Sequence, residues 1–306
     1  MSTLHTHLED YLRLRRALGF KLTWPGHVLP QFVTWLEGTG AVTITTEAAI
    51  TWARLSTAAS PITLSHRLGA VRGFARYLRT IDPATEIPPT GLFGKQQRVT
   101  PYIYSPGEIG RLVQAALQLH PRLRAATHEA LFGLLTVSGM RVGEALHLSR
   151  DDVDLADGVI RVRHTKFDRE RLVPLHPGAT EALRVYAARR DGLCPRPLTD
   201  AFFISHVGTA LRHSQVNATF LSMLASAGFP TALGSRPRIH DLRHTMVVNT
   251  LIDWQRDGVD VASRLPVLST YLGHVSPAST YWYVSAVPEL MQLAAAGLDR
   301  RFGDQR

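Results

Sequence analysis

Apolar stripes at helical spacing run through the first eighty residues. Leu4, Leu8, Tyr11, Leu12 and Leu18 predict a helix over 3–18 that stops at Gly19. Val28, Phe32, Trp35 and Leu36 form a second stripe ending at Gly38, and Thr46 is placed to cap a third helix reaching Leu55. A fourth helix is predicted over 62–78, with Leu64, Leu68, Val71, Phe74, Ala75 and Leu78 on one side. Its other side carries Arg67, Arg72, Arg76 and Arg79, either a solvated face or a surface for a nucleic-acid backbone.

The pattern then breaks. Residues 82–101 are rich in Pro, Gly and Thr and have no periodicity, which predicts a linker. Ser105-Pro106-Gly107-Glu108 reads as a capping box with proline at the first helical position, opening a helix over 106–119. Another helix is expected over 123–138, ending at Gly139. VIRVRHT (159–165) and RLVPL (171–175) are β-rich and flank KFDRE, which predicts a hairpin with Lys166 at its tip. Helices are expected at 178–190, 214–227, 240–254, 266–272 and 277–285, and AFFIS (201–205) reads as a short strand. The fold class that emerges is mostly α with a small antiparallel β-hairpin.

Composition narrows the function classes. At 306 residues the chain is long enough for two domains, and 45% hydrophobic residues suffice for a buried core. A formal net charge of +9 favours a polyanionic partner. Cys194 is the only cysteine, which excludes an intrachain disulfide and a thiolate metal cluster. The first residues lack the apolar stretch of a signal peptide, and no apolar run has membrane-spanning length, so a cytoplasmic setting without membrane contact is expected. Of the 34 basic residues 31 are arginine, so Lys21, Lys95 and Lys166 stand out. Arginine holds its proton at any useful pH, whereas lysine can release one.

Candidate chemistry lies in five segments of the second half: Arg141 in SGMRVGEAL, Lys166 in HTKFDRERLVPL, His240 and Arg243 in IHDLRHT, His274 in YLGHVS, and Tyr283 in TYWYVSA. Cations without carboxylate partners suit a phosphodiester attacked without metal. Glu144, one turn beyond Arg141, is placed to hold it. The pattern HxxR is expected roughly 1.4 times by chance in this composition, and a second copy stands at His147–Arg150. His240 and His244 share the i,i+4 spacing of zinc-binding helices, but Asp241 replaces the usual Glu and no third ligand follows, so no metal is expected and His244 is read as packing or hydrogen-bonding beside the site. Tyr281 and Tyr283 face opposite ways on a helix, and the residues alone leave either open as a nucleophile.

The order of these segments closely resembles the tyrosine recombinase (phage integrase) family. The matching strings are TVSGMRVGEALHL, HTKFDRERLVPL, IHDLRHT, YLGHVSPAST and the tyrosine after them, covering about residues 105–290. The resemblance implies a helical core-binding domain that clamps DNA at 1–81, a linker at 82–104 and a catalytic domain at 105–306. In the family the nucleophile stands nine residues after the histidine of LGH, which selects Tyr283. Tyr283-Val284-Ser285 departs from the Tyr-Thr-His of many members. STYWYVSAVPEL is similar to recombinases carried on transposon-like elements.

The resemblance further implies a site-specific recombinase acting through a 3′-phosphotyrosine, with no cofactor. Tyr283 would attack, Arg141, Arg243 and His274 would bind the phosphoryl oxygens, Lys166 would protonate the leaving 5′-oxygen, and His240 would move a proton or bind phosphate. The implied partners are double-stranded recombination sites and a homo-tetramer on DNA, with sister recombinases as further candidates; Leu290–Ala296 would pack on a neighbouring protomer or on its own domain. Two readings compete: a type IB topoisomerase, and a DNA-binding accessory protein without activity.

Overall fold

The computed structural model describes residues 3–56, 60–94, 100–163, 170–230, 236–274, 276 and 278–286; Lys166 and Leu290–Ala296 lie outside them. The chain divides into two compact units, Met1–Val99 and Thr100–Arg306.

The first unit is built from α1 (Thr3–Ala17), α2 (Thr23–Gly38), α3 (Thr46–Arg54) and α4 (Pro61–Leu78). The stripes read from the sequence meet in one core, where Leu8, Phe32, Leu36, Trp52, Val71 and Phe74 are buried. The cap of α3 is Thr45, not Thr46; its side chain accepts from the Ala48 amide at 3.1 Å. The stretch after α4 belongs in part to this unit. Glu86 accepts from the Thr46 amide at 2.7 Å, and Arg72 donates to the carbonyls of Pro88 and Pro89, each at 2.6 Å. A proline-rich segment has few amides to form a ladder, so side chains fasten it instead.

The second unit opens with α5 (Pro106–Leu117), whose capping box is formed by Ser105 and Glu108 as the sequence predicts. It surrounds α6 (Arg122–Ser138), which buries Leu123, Leu131, Phe132, Leu134 and Leu135. The short α7 (Val142–Leu146) follows. Strands β1 (Val153–Asp154), β2 (Val159–Val162) and β3 (Arg171–Pro174) form an antiparallel sheet in that order, with Val162 opposite Arg171. The two strands of the predicted hairpin therefore pair as expected, and the expected place of Lys166 between them lies outside the described residues. The sequence did not suggest β1.

The unit continues through α8 (Pro177–Leu193), α9 (His213–Ser226), α10 (Ile239–Arg256), α11 (Val261–Leu272) and α12 (Ala278–Ala286). AFFIS forms only isolated bridges, Ser149 with Ala201 and Ile204 with Ala210; Phe202, Phe203 and Ile204 are buried core residues. Periodicity does not separate a buried run of this length from a strand. The start of α11 lies five residues earlier than the stripe suggested, because Asp260 caps it by accepting from the Ala262 amide at 3.0 Å.

Gly139 ends α6 in the left-handed region at φ 59°. A Cβ there would lie 3.1 Å from Met246 Sδ and 3.2 Å from Leu272 Cδ2. Gly139→Ala is expected to cost about 1–2 kcal/mol from the backbone alone, lowering the melting temperature by roughly 2–8 °C. An unchanged thermal transition would show that the turn relaxes without penalty.

Candidate active site

The turn at Gly139 releases the chain so that Arg141 begins α7. The Arg141 amide donates to Glu144 Oε2 at 3.0 Å and its Nη1 to Glu144 Oε1 at 2.8 Å. The Arg141 side chain stays 41% exposed, although its Nη1 and Nη2 also face the Gly273 carbonyl at 3.5 and 3.4 Å. Glu144 also accepts from Arg171, at 2.7 Å from Nη2 and 3.2 Å from Nη1. Burial alone would raise the Glu144 pKa, but the Arg171 and Arg141 contacts outweigh it and hold the carboxyl at about 2.

Arg243, one turn into α10, is 2% exposed. Its Nη1 donates to the Gly139 carbonyl at 2.7 Å and its Nη2 to the Leu272 carbonyl at 2.8 Å. The acceptors are main-chain oxygens, which leave the positive charge uncancelled. Desolvation, then Arg141, lowers its pKa to about 10, so it stays charged at neutral pH. The start of α10 is fixed by Asp241, which accepts from the Arg238 amide at 2.8 Å and from Arg238 Nη2 at 2.8 Å.

Three histidines surround these cations. His274 follows Gly273, which ends α11 at φ 66°, and its Nδ1 lies 2.7 Å from Thr280 Oγ1. The rings of His240 and His244 meet edge to face, 4.7 Å apart. His244 Nδ1 lies 2.6 Å from the Tyr283 hydroxyl. Desolvation and neighbouring charge, chiefly Arg243 for His240 and His274 and His240 for His244, hold all three at about 4, although the His240 residue still meets solvent. With the His244 proton on Nε2, Nδ1 is the acceptor for the Tyr283 hydroxyl; the other tautomer reverses the bond. This is the hydrogen-bonding place that the sequence suggested for His244.

The two tyrosines part as helical geometry requires: Tyr283 is 3% exposed beside His244, whereas Tyr281 is 50% exposed. Arg141, Glu144, His240, Arg243, His274 and Tyr283 thus share one region of the second unit. The decoy pair is occupied elsewhere. His147 bonds the Gly143 carbonyl at 2.6 Å, and Arg150 forks onto Asp191 at 2.9 and 2.8 Å. In the first unit Arg67 stacks over Trp52 at 3.7 Å and Arg72 holds its two carbonyls, whereas Arg76 and Arg79 are exposed. Sequence reasoning missed Arg171 and Thr280. Their signal was present, since both stand inside the strings that carry the other site residues.

The family model described as "Phage integrase family" matches residues 105–289, which include Arg141, Glu144, His240, Arg243, His274 and Tyr283. The chain belongs to the phage integrase family. It is accordingly a DNA recombinase of the tyrosine type, an enzyme that cleaves and rejoins strands. Relatives extend over the whole length: the y4rB protein of Sinorhizobium fredii, named for an integrase/recombinase, is 42% identical over 100% of both chains. The tyrosine recombinase XerC of Thermodesulfovibrio yellowstonii is 29% identical, covering 73% of this chain and 71% of its own. The integrase fold also recurs in solved structures. The Tn1549 transposon integrase in complex with a circular intermediate DNA has a TM-score of 0.67 at 15% identity, covering 96% of this chain and 98% of that one. A lambda integrase tetramer bound to a Holliday junction has a TM-score of 0.60 at 17% identity, covering 90% and 79%.

The pKa directions set the acid response of this integrase. The histidines, depressed from 6.5 to about 4, give stability that is complete above pH 6.5 and is lost as pH falls toward 4. Glu144, depressed from 4.5 to about 2, gives stability that is lost only between those values, on the order of 3 kcal/mol. Urea unfolding of Glu144→Gln should show lower stability at pH 7 and a shallower decline below pH 4.5 than the wild type. Parallel declines in the two proteins would remove Glu144 from this role.

Proposed function

We propose that Tyr283 is the nucleophile and that the cluster around it is a metal-independent phosphoryl-transfer site on double-stranded DNA. The observation that carries the assignment is the Tyr283 hydroxyl bonded to His244, which meets His240 edge to face in a region whose arginines keep their charge. As the Tyr283 oxygen bonds to phosphorus, its proton passes to the histidine pair, and the bond from phosphorus to the 5′-oxygen breaks. The products are a 3′-phosphotyrosine and a 5′-hydroxyl, so the bond energy is kept and rejoining needs no cofactor. Arg141 offers donors to the non-bridging oxygens where charge accumulates and His274 adds another, while the buried Arg243, whose Nη1 and Nη2 hold two carbonyls, acts on them through its uncancelled charge. Lys166 protonates the 5′-oxygen. Because Tyr283 is buried, α12 must shift for its hydroxyl to meet a phosphate.

The first unit, read as a core-binding domain, contacts the backbone of the same duplex through its exposed basic residues, Arg76 and Arg79 foremost; Arg67 and Arg72 already have partners inside the unit. Full recombination joins two duplexes, so the working assembly is a homo-tetramer. The lambda integrase tetramer supports this assembly, and the Tn1549 integrase supports a role in transposition. Cytoplasmic action fits such a role, and among the described residues no helix is long and apolar enough to cross a membrane.

A library of nicked duplexes with a randomised segment, captured by covalent attachment, tests the reading and reveals the target sequence. Wild-type protein and Tyr281→Phe should trap DNA through the 3′-phosphate, while Tyr283→Phe traps none and still retards DNA in a mobility-shift assay. A covalent adduct from Tyr283→Phe would move the nucleophile elsewhere. Relaxation of supercoiled plasmid lacking the captured sequence would favour the topoisomerase reading.

A further inference from the structure

Arg171 stands at the head of β3, 11% exposed, with its guanidinium already committed. Nε donates to the Tyr271 carbonyl at 3.0 Å, and Nη1 and Nη2 donate to the two oxygens of Glu144. It therefore ties the hairpin to α7 on one side and to the last turn of α11 on the other. The approach is close: a Cβ on Gly273 would lie 2.8 Å from Arg171 Nη1. Gly273 is thus needed for this arginine as well as for its own left-handed turn. The Gly273 carbonyl in turn faces Arg141, 3.5 Å from Nη1 and 3.4 Å from Nη2.

Arg141 and Arg171 grip one carboxylate between them. The pair would repel without Glu144, and with it they form a rigid bidentate sandwich. Arg141 uses Nη1 and its amide on this carboxylate and keeps an exposed edge, whereas Arg171 faces inward on every contact. Arg171 has no fork left for a DNA phosphate, and its effect must pass through the groups it holds.

Resting on the roles proposed for Arg141 and His274, we infer that Arg171 is a positioning residue for the phosphate-binding half of the site. It sets Arg141 through Glu144 and sets His274 through the Tyr271–Gly273 turn. It does not act through the leaving-group acid Lys166. A lysine at 171 keeps the charge but cannot span a carboxylate and a carbonyl at once.

The test uses the full-length protein and a duplex captured from the randomised library, nicked and made with either the natural 5′-oxygen or a 5′-bridging sulfur at the scissile bond. Sulfur departs as a thiolate with no need of protonation, since the thiol pKa is near ~8.5 against far higher values for an alcohol. Lys166→Ala should therefore be slow on oxygen and restored on sulfur. Arg171→Ala should form adduct about 10²-fold more slowly on both substrates, the scale expected for a misplaced catalytic group. Arg171→Lys should fall between it and the wild type, and Arg171→Ala combined with Glu144→Gln should be no slower than the worse single variant. Retained DNA retardation and cooperative melting show that each variant is folded; should Arg171→Ala not fold, Arg171→Lys on the two substrates decides in its place. Wild-type speed in the variant, full restoration by sulfur, or multiplied losses in the double variant overturns the inference and leaves the tyrosine assignment standing. A wild-type protein that forms no adduct overturns both.

Discussion

The second unit depends on one buried cation. Arg243 lies in α10 and donates to the carbonyl that ends α6 and to the carbonyl that ends α11. Helix C-termini carry orphan carbonyls and partial negative charge, so a guanidinium between two of them satisfies both ends at once. Arg141 and His274 each follow one of these ends within two residues. A single side chain therefore sets the positions of two others, and its own charge stays uncancelled because its acceptors are neutral. Removing it would leave buried carbonyls unpaired as well as taking a cation from the site.

Around that cation the electrostatics are arranged for an anion that arrives from outside. Desolvation first, then neighbouring charge (Arg243 beside His240 and His274, His240 beside His244), holds three histidines below their ordinary pKa. Glu144 lies between two guanidiniums and compensates part of this repulsion. The site is a charged cradle that its own residues only partly neutralise. Such a cradle costs stability in the free protein, and the phosphate of the proposed function would return that cost.

Much of this was legible in the sequence where local physics decides. The capping box at Ser105–Glu108, the end of α6 at Gly139 and the hairpin strands obey short-range rules that the tertiary structure did not override. Long-range partners were not legible. Nothing in the stripe of α4 says that Arg67 meets Trp52 or that Arg72 meets the prolines at 88 and 89, because each contact crosses fifteen or more positions. The AFFIS segment was misread for a related reason: full burial gives a continuous apolar run whatever the backbone does. Arg171 was overlooked because an arginine on a strand has the same sequence signature whether it meets solvent or a carboxylate 27 residues away. The two HxxR motifs make the same point. They share one pattern and differ in what lies opposite, a surface aspartate for Arg150 and two helix ends for Arg243.

The seat of Arg243 is made of main-chain oxygen, and this bears on how the fold tolerates change. A carboxylate partner disappears with a single codon change, whereas a carbonyl is supplied by whichever amino acid occupies the position. Substitution at 272 can alter packing but cannot delete the acceptor. The requirement falls on where two helices stop rather than on which side chains stop them. A chain built this way can drift far in sequence while keeping its central arginine in place.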